Sequence, residues 1–152
     1  MNIIIAAIGR IKDSPEKTLI EKYLRQCPWE ITIRELDAKK GLSGDALKDA
    51  EATLLLEATD KARIRIAMDE RGKALSSEAF AKRLGDWQDN AQTPIAFLIG
   101  GQDGLAKSIR QQADLIMNLG EMTWPHMLAR AMLTEQLYRA HTILTGHPYH
   151  RS

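Results

Sequence analysis

Strand-like and helix-like segments alternate from one end of the sequence to the other, and that alternation leaves few folds open. Asn2–Ile8 is short, β-branched and almost wholly apolar, the pattern of a parallel strand buried on both faces. Ser14-Pro15-Glu16 reads as a helix start, with Ser as the cap and Pro at the first helical position, and the helix is expected to reach about Gln26, ahead of Pro28. Glu30–Leu36 alternates with period two, as a strand with one wet face does. A polar, glycine-punctuated loop over Lys39–Gly44 leads into a helix over Asp45–Thr59. A strand over Ile64–Met68 and a helix over Ser76–Asn90 follow. Pro94–Ile99 is the fourth strand, with Pro94 at its first residue, where a missing N–H is tolerated. Then come a short helix, a strand over Asp114–Leu119 and a long helix over His126–Thr145. Thr123-Trp124-Pro125 should cap that helix, and Gly146 and Pro148 should stop it. The expected architecture is α/β, a mostly parallel sheet with helices on both faces. At 152 residues, with no repeat or linker, residues 1–152 read as one domain.

With 44% hydrophobic and 27% charged residues, disorder is excluded, and no apolar run approaches the ~20 residues of a membrane span. The first eight residues lack a basic region and turn polar at Arg10, so they do not read as a signal peptide, and a cytoplasmic location is expected. A single cysteine, Cys27, excludes an intramolecular disulfide and a cysteine-based metal cluster, and no metal site is expected. Lys and Arg number 21 against 20 Asp and Glu, a balance of +1, which is not the profile of a protein that grips nucleic acid nonspecifically. An RNA partner would have to be held by a local patch or a shaped docking site.

Ligands of open α/β sheets bind beyond the carboxyl ends of strands. Ile99-Gly100-Gly101-Gln102-Asp103-Gly104 lies at such an end, yet it lacks the Lys-Ser/Thr of a P-loop and is not G-x-G-x-x-G. A tight turn into a helix accounts for it equally well. Leu119–His126 is a second strand-exit loop and Met68–Lys73 a third. Three such loops on one edge would form one pocket, apolar from Met68, Leu119, Met122 and Trp124 and donor-rich from backbone amides. It would suit a flat adenine with a short zwitterionic tail better than a triphosphate, although each Met or Leu alone reads as core.

On the long helix, Ala129, Leu133, Leu137, Ala140 and Leu144 form one apolar stripe, and Leu128 and Met132 add a second line. Either a partner subunit or burial against a neighbouring helix would explain two covered surfaces. His126, Arg130, Thr134, Tyr138 and His141 form a polar stripe that reads as a solvated face, and Glu135 with Arg139 is a helical i,i+4 pair. The tail His147-Pro148-Tyr149-His150-Arg151 concentrates groups suited to base stacking, proton handling and phosphate contact.

Four motifs in order then carry a likeness: Phe97-Leu98-Ile99-Gly100-Gly101 with Gly104, Met122-Thr123-Trp124-Pro125-His126, Glu135-Gln136-Leu137-Tyr138-Arg139-Ala140, and Pro148-Tyr149-His150. With them the chain resembles, over its whole length, the RlmH (YbeA-like) methyltransferases of the SPOUT class, which methylate N3 of a pseudouridine in a 23S rRNA stem-loop. The resemblance implies a C-terminal trefoil knot, one of the few exceptions to the rule that chains do not thread loops. It implies S-adenosyl-L-methionine held by Met68, Gly100 and the run Leu119, Gly120, Glu121, Met122, Thr123 and Trp124. Gly120 and Trp124 depart from the family pattern, which shifts the expected contacts there to the main chain. A homodimer packed through the C-terminal helix is implied as well, and action on the assembled ribosome, which would fit the near-neutral charge. Substrate handling would fall to Arg139, Tyr149 and His150, with Arg130 and His126 behind them. His150 would take the N3 proton, Tyr149 would stack on the base, and Arg139 or Arg151 would hold phosphate. Three alternatives stay open: a SPOUT methyltransferase acting on another RNA such as tRNA, a non-catalytic ribosome-binding or assembly factor, and a flavodoxin-type nucleotide module, which would have no use for the tail.

Overall fold

Five strands and five helices alternate in the computed structural model, which describes residues 1–151. In chain order they are β1 (Asn2–Ile8), α1 (Pro15–Gln26), β2 (Glu30–Leu36), α2 (Gly44–Ala58), β3 (Ile64–Ala74), α3 (Ser77–Asp89), β4 (Ile95–Ile99), α4 (Lys107–Gln112), β5 (Leu115–Asn118) and α5 (His126–Thr145). The strands form one sheet in the order β2-β1-β4-β3-β5, and every pairing is parallel. The expected α/β class is therefore observed.

Side chains of a strand alternate between the two faces of a sheet, and the core divides accordingly. Ile3, Ile5, Ile66, Phe97 and Met117 point to one side and pack with Phe80 and Leu84 of α3 and Leu133 and Leu137 of α5. Ala6, Ile8, Ala67 and Leu98 point to the other and meet Ala52 and Leu55 of α2 and Ile109 of α4. α5 lies between α1 and α3 on the first face. Central β4 is buried at every residue, whereas edge strand β2 alternates as its sequence foretold. Among the described residues no helix is long and apolar enough to cross a membrane.

Local signals place the ends of several elements. Ser14 Oγ accepts the Lys17 N–H at 3.2 Å and Pro15 opens α1. Ser76, expected inside α3, is instead its cap and accepts the Ala79 N–H at 3.1 Å. α5 ends at Gly146, whose φ of 71° is left-handed.

Four expectations need correcting. The third strand does not leave the sheet at Met68. It continues to Ala74 through a bulge, its register against β5 jumping between Met68 and Lys73. Asp69-Glu70-Arg71-Gly72 has the composition of a turn, but a Cβ on Gly72 would stand 2.5 Å from the Ile116 carbonyl carbon and the Met117 nitrogen. Close backbone packing keeps this stretch against β5, as a bulge does. Next, of the expected cap Thr123-Trp124-Pro125 only Pro125 is the cap residue of α5, and no side-chain hydrogen bond closes the helix start. Pro94 lies just outside β4, in a cis peptide with Thr93. Lastly, the polar stripe of α5 is not a wet face, since Arg130 and Thr134 are each only 1% exposed. With α1, α3 and the sheet around it, α5 has too little free perimeter to leave that stripe in water.

Candidate active site

Beyond the carboxyl ends of β4 and β5, beside the bulge of β3 and against the first turn of α5, lies a cavity of about 510 Å³. That is the size class of small-molecule sites. Gly100, at the end of β4, is buried, and a Cβ there would lie 2.8 Å from the carbonyl carbon and oxygen of Gly104. Only glycine lets the loop fold back this closely. The Gly104 N–H donates to the Gly101 carbonyl at 3.0 Å, and Nε2 of His126 meets the Gly100 carbonyl.

The second loop is tied down by side chains at both ends. Asn118 Oδ1 accepts the Gly120 N–H at 3.0 Å while its amide donates to the Gly72 carbonyl, also at 3.0 Å. One side chain therefore joins the exit of β5 to the bulge of β3. Trp124 Nε1 donates to the Leu119 carbonyl at 3.2 Å and closes the loop on itself.

Of the residues expected to contact a cofactor, Met68, Gly100, Leu119, Gly120, Met122, Thr123 and Trp124 all line this cavity. Glu121 is exposed and does not line it. Met122 stands on the rim at 74% exposure. The structure adds Asp69 and Arg71 from the β3 bulge, Gln102 and Asp103, Asn118, Lys48 of α2 and His126. Asp69 is the most constrained of these, its side chain 6% exposed with Arg71 at 3.8 Å and Arg110 at 3.7 Å. Reading its segment as a loop hid this residue; Arg71 two positions further on was the available signal, since Arg110 reaches it from α4. Met68, Ile99, Met117 and Leu119 give the cavity an apolar wall, while Lys48 and Arg71 are its only lysine or arginine among the described residues. Such a lining suits a flat heterocycle with a small charged tail and offers no cradle for a polyphosphate.

The C-terminal candidates come together elsewhere. Arg139 is bound through Nη2 and Nε to Glu135 Oε1 at 2.6 and 3.0 Å, and the Tyr149 hydroxyl donates to the same oxygen at 2.9 Å. The Arg139 guanidinium lies 4.8 Å from the Tyr149 ring centre, a cation–π contact. Arg139 Nη1 is 3.1 Å from His150 Nδ1, and His150 Nε2 is 2.8 Å from Glu78 Oε1. Arginine can only donate, so Nδ1 is the acceptor and the Nε2–H is the donor to Glu78. This arrangement assigns His150 as the neutral imidazole. Burial first, and then Glu135, pushes the Tyr149 phenol well above its ordinary range. The hydrogen bond from His150 holds the Glu78 carboxyl below its ordinary value.

None of Arg139, Tyr149 or His150 lines the first cavity. Glu135 and Gln136 instead line a second one, of about 480 Å³, that shares the wall Met117–Gly120 with the first. Arg130, expected to back the tail cluster, lies elsewhere again. Its Nη1 is paired with Glu35 at 2.6 Å and its Nη2 donates to the Gly9 carbonyl at 3.2 Å, joining α5 to the ends of β1 and β2. Burial alone would raise the Glu35 carboxyl, but the Ile11 amide and Arg130 outweigh it and hold the group below its usual value.

A parallel sheet whose glycine loop and following strand exit close one pocket against the C-terminal helix defines a class as well as a site. The chain belongs to the SPOUT methyltransferases, the family model described as "Predicted SPOUT methyltransferase" matching residues 1–150. It is 51% identical over 152 residues to the ribosomal RNA large subunit methyltransferase H of Rhodospirillum centenum, covering 100% of both chains. To the protein of that name from Paramagnetospirillum magneticum it is 48% identical over 151 residues, 99% of each. Among solved structures, a probable methylase family protein from Haemophilus influenzae Rd KW20 has the same fold. The TM-score is 0.62 at 11% identity, covering 99% of this chain and 71% of that one.

Proposed function

We propose that this protein transfers a methyl group from S-adenosyl-L-methionine to N3 of a pseudouridine in a 23S rRNA stem-loop, acting in the cytoplasm on the assembled ribosome. The observation that carries the reading is the glycine-loop cavity, found in a chain whose full-length relatives bear the name ribosomal RNA large subunit methyltransferase H. The lining fits the cofactor: Met68 and Leu119 offer an apolar slot for an adenine, Gly100 permits close backbone approach, and the chain from Gly120 to Trp124 borders the rest. When bound, S-adenosyl-L-methionine supplies an electrophilic methyl group. The protein aligns the acceptor, excludes water and handles the N3 proton.

Arg139, Tyr149 and His150 are the groups for the acceptor side. In this reading the Arg139 guanidinium turns from His150 to a phosphate of the RNA, which frees the Nδ1 lone pair of a neutral His150 to take the proton. Tyr149 supplies a stacking face. Because the trio lies outside the cavity of its own chain, the reading includes a homodimer packed through α5 in which one protomer's tail completes the other's site. The half-buried Leu128 and Met132 are available for that contact. The trefoil knot near the last two strand exits belongs to the same reading, as does a single domain over the whole chain.

The test is methyl transfer from labelled S-adenosyl-L-methionine to ribosomes, separated subunits and naked rRNA from cells lacking the activity. Label at one pseudouridine of intact ribosomes is the expected result. A protein that binds the cofactor yet labels none of the three would exclude the proposed acceptor.

A further inference from the structure

Glu51, in the middle of α2, is only 6% exposed, and its Oε1 has no hydrogen-bond partner among the described residues. Its other oxygen lies against the glycine loop. A Cβ added at Gly101 would stand 2.6 Å from Glu51 Oε2 and 3.2 Å from the carboxyl carbon. The two positions face each other: a side chain at residue 101 would force the Glu51 carboxyl to shift, and the carboxyl as it stands lies against the loop. A leucine or methionine at position 51 would fill that space with no polar atom left unpaired. An oxygen kept there against this cost points to a partner that arrives later.

Resting on the methyltransferase reading, we propose that Glu51 is a positioning residue for the cofactor loop, bracing Gly101 from behind and fixing Gly100–Gly104 by a hydrogen bond through Oε1 once the cavity is filled. Gly100 to Gly104 all line the cavity and Glu51 does not, so Glu51 acts through the loop. No lysine or arginine pairs with it among the described residues, Lys48 one turn earlier facing the cavity instead. Burial first, and then Asp103, raises its carboxyl above the ordinary range. A carboxyl accepts through either oxygen, and its protonated form can also donate, which is what a brace against a loop of amides and carbonyls needs.

The experiment measures the dissociation constant of S-adenosyl-L-methionine by calorimetry, alongside melting temperature, for Glu51→Gln, Glu51→Ala, Gly101→Ala and the Glu51→Ala/Gly101→Ala double variant. Glutamine keeps the shape and both hydrogen-bonding roles, so Glu51→Gln should bind within about threefold of the parent. Glu51→Ala and Gly101→Ala should each weaken binding about tenfold (about 1.4 kcal/mol). The double variant should bind no worse than either single one, since both remove the same contact. If Glu51→Ala melts below the assay temperature, Glu51→Leu takes its place with the same expected loss. A folded Glu51→Ala (or Leu) protein with the parent's affinity overturns the proposal, as do additive losses in the double variant. A Glu51→Gln protein as impaired as Glu51→Ala overturns it too. A parent chain that binds no S-adenosyl-L-methionine removes the functional reading and this proposal with it, whereas a parent that binds normally isolates failure to the brace.

Discussion

Replacing Glu35 by alanine strands the guanidinium of Arg130, 1% exposed, in the interior of the protein. The parent pair is short, 2.6 Å, and Oε2 of Glu35 also accepts the Ile11 N–H at 2.7 Å. Removing one partner of a buried ion pair costs about 3–5 kcal/mol, because the remaining charge has no solvent to turn to. The orphaned Ile11 amide adds about 1 kcal/mol. Against this, the Glu35 side chain is 25% exposed, so water can reach the vacated space, and Nη2 keeps its bond to the Gly9 carbonyl. A loss of about 3 kcal/mol is expected, which for a domain of this length lowers the melting temperature by about 6–12 °C. Arg130→Met should cost less, about 1–2 kcal/mol. It removes a buried charge whose Nε has no partner in the fold, and it leaves a carboxylate that can hydrate. The double variant should recover most of the Glu35→Ala loss. Because the folded-state pKa of Glu35 is depressed, its contribution is full above the unfolded value of about 4.3 and fades as pH falls through the lower folded one. Thermal melts of parent and Glu35→Gln should therefore differ at pH 7 and converge in strong acid. An Arg130→Met protein less stable than Glu35→Ala, or a Glu35→Ala loss under about 1 kcal/mol, would refute this account of the pair.

Gly100→Ala, whose Cβ would press within 2.8 Å of the Gly104 backbone, should remain folded but weaken S-adenosyl-L-methionine at least about tenfold by calorimetry; an unchanged affinity would mean that the loop has slack. Glu135→Gln loosens the acceptor shared by Arg139 and Tyr149, so in an ultraviolet pH titration the late-ionising tyrosine among the three should move down toward its ordinary range, and no movement would leave burial and the neighbouring Tyr23 as the causes. The raised phenol contributes stability up to its unfolded value and loses it as pH rises through the folded one, so the parent should also weaken in strong alkali. Arg139→Ala and His150→Ala should bind cofactor as the parent does yet transfer no methyl group to ribosomes, and normal turnover in both would remove them from the site.

The strand exits Ile99–Gly104 and Leu119–Trp124 were legible in the sequence because glycine next to a buried strand is itself a local signal, and both reach the same cavity. The Ser14 cap and the Gly146 stop were legible for the same local reason. What escaped depends on distant neighbours. Asp69–Gly72 has turn composition, and only the close backbone of β5 makes it a bulge that carries Asp69 and Arg71 to the pocket. Arg130 on a helical wheel looks wet, since nothing nearby in sequence reveals Glu35, ninety-five positions away. Lys48 reaches the cavity from a helix on the other face of the sheet. The tail was readable as a cluster, and helical spacing gave the Glu135–Arg139 pair, but no periodicity could say that Tyr149 joins that pair and His150 turns to Glu78 rather than to the cavity.

α5 carries three fastenings in a row: His126 to the glycine loop, Arg130 to the ends of β1 and β2, and Glu135 to the C-terminal tail. Their spacing is set by helical pitch, since nine steps of about 1.5 Å separate the first from the last. One residue added or removed between them would turn everything beyond it by about 100° and slide it by about 1.5 Å, unseating at least one fastening whichever way the helix settled. The interval is thus a measured length, with the cofactor loop at one end and the acceptor-side tail at the other. Over time such a chain is free to lengthen or shorten in the exposed loop between β2 and α2, whereas between positions 126 and 135 it can change its letters but not their number.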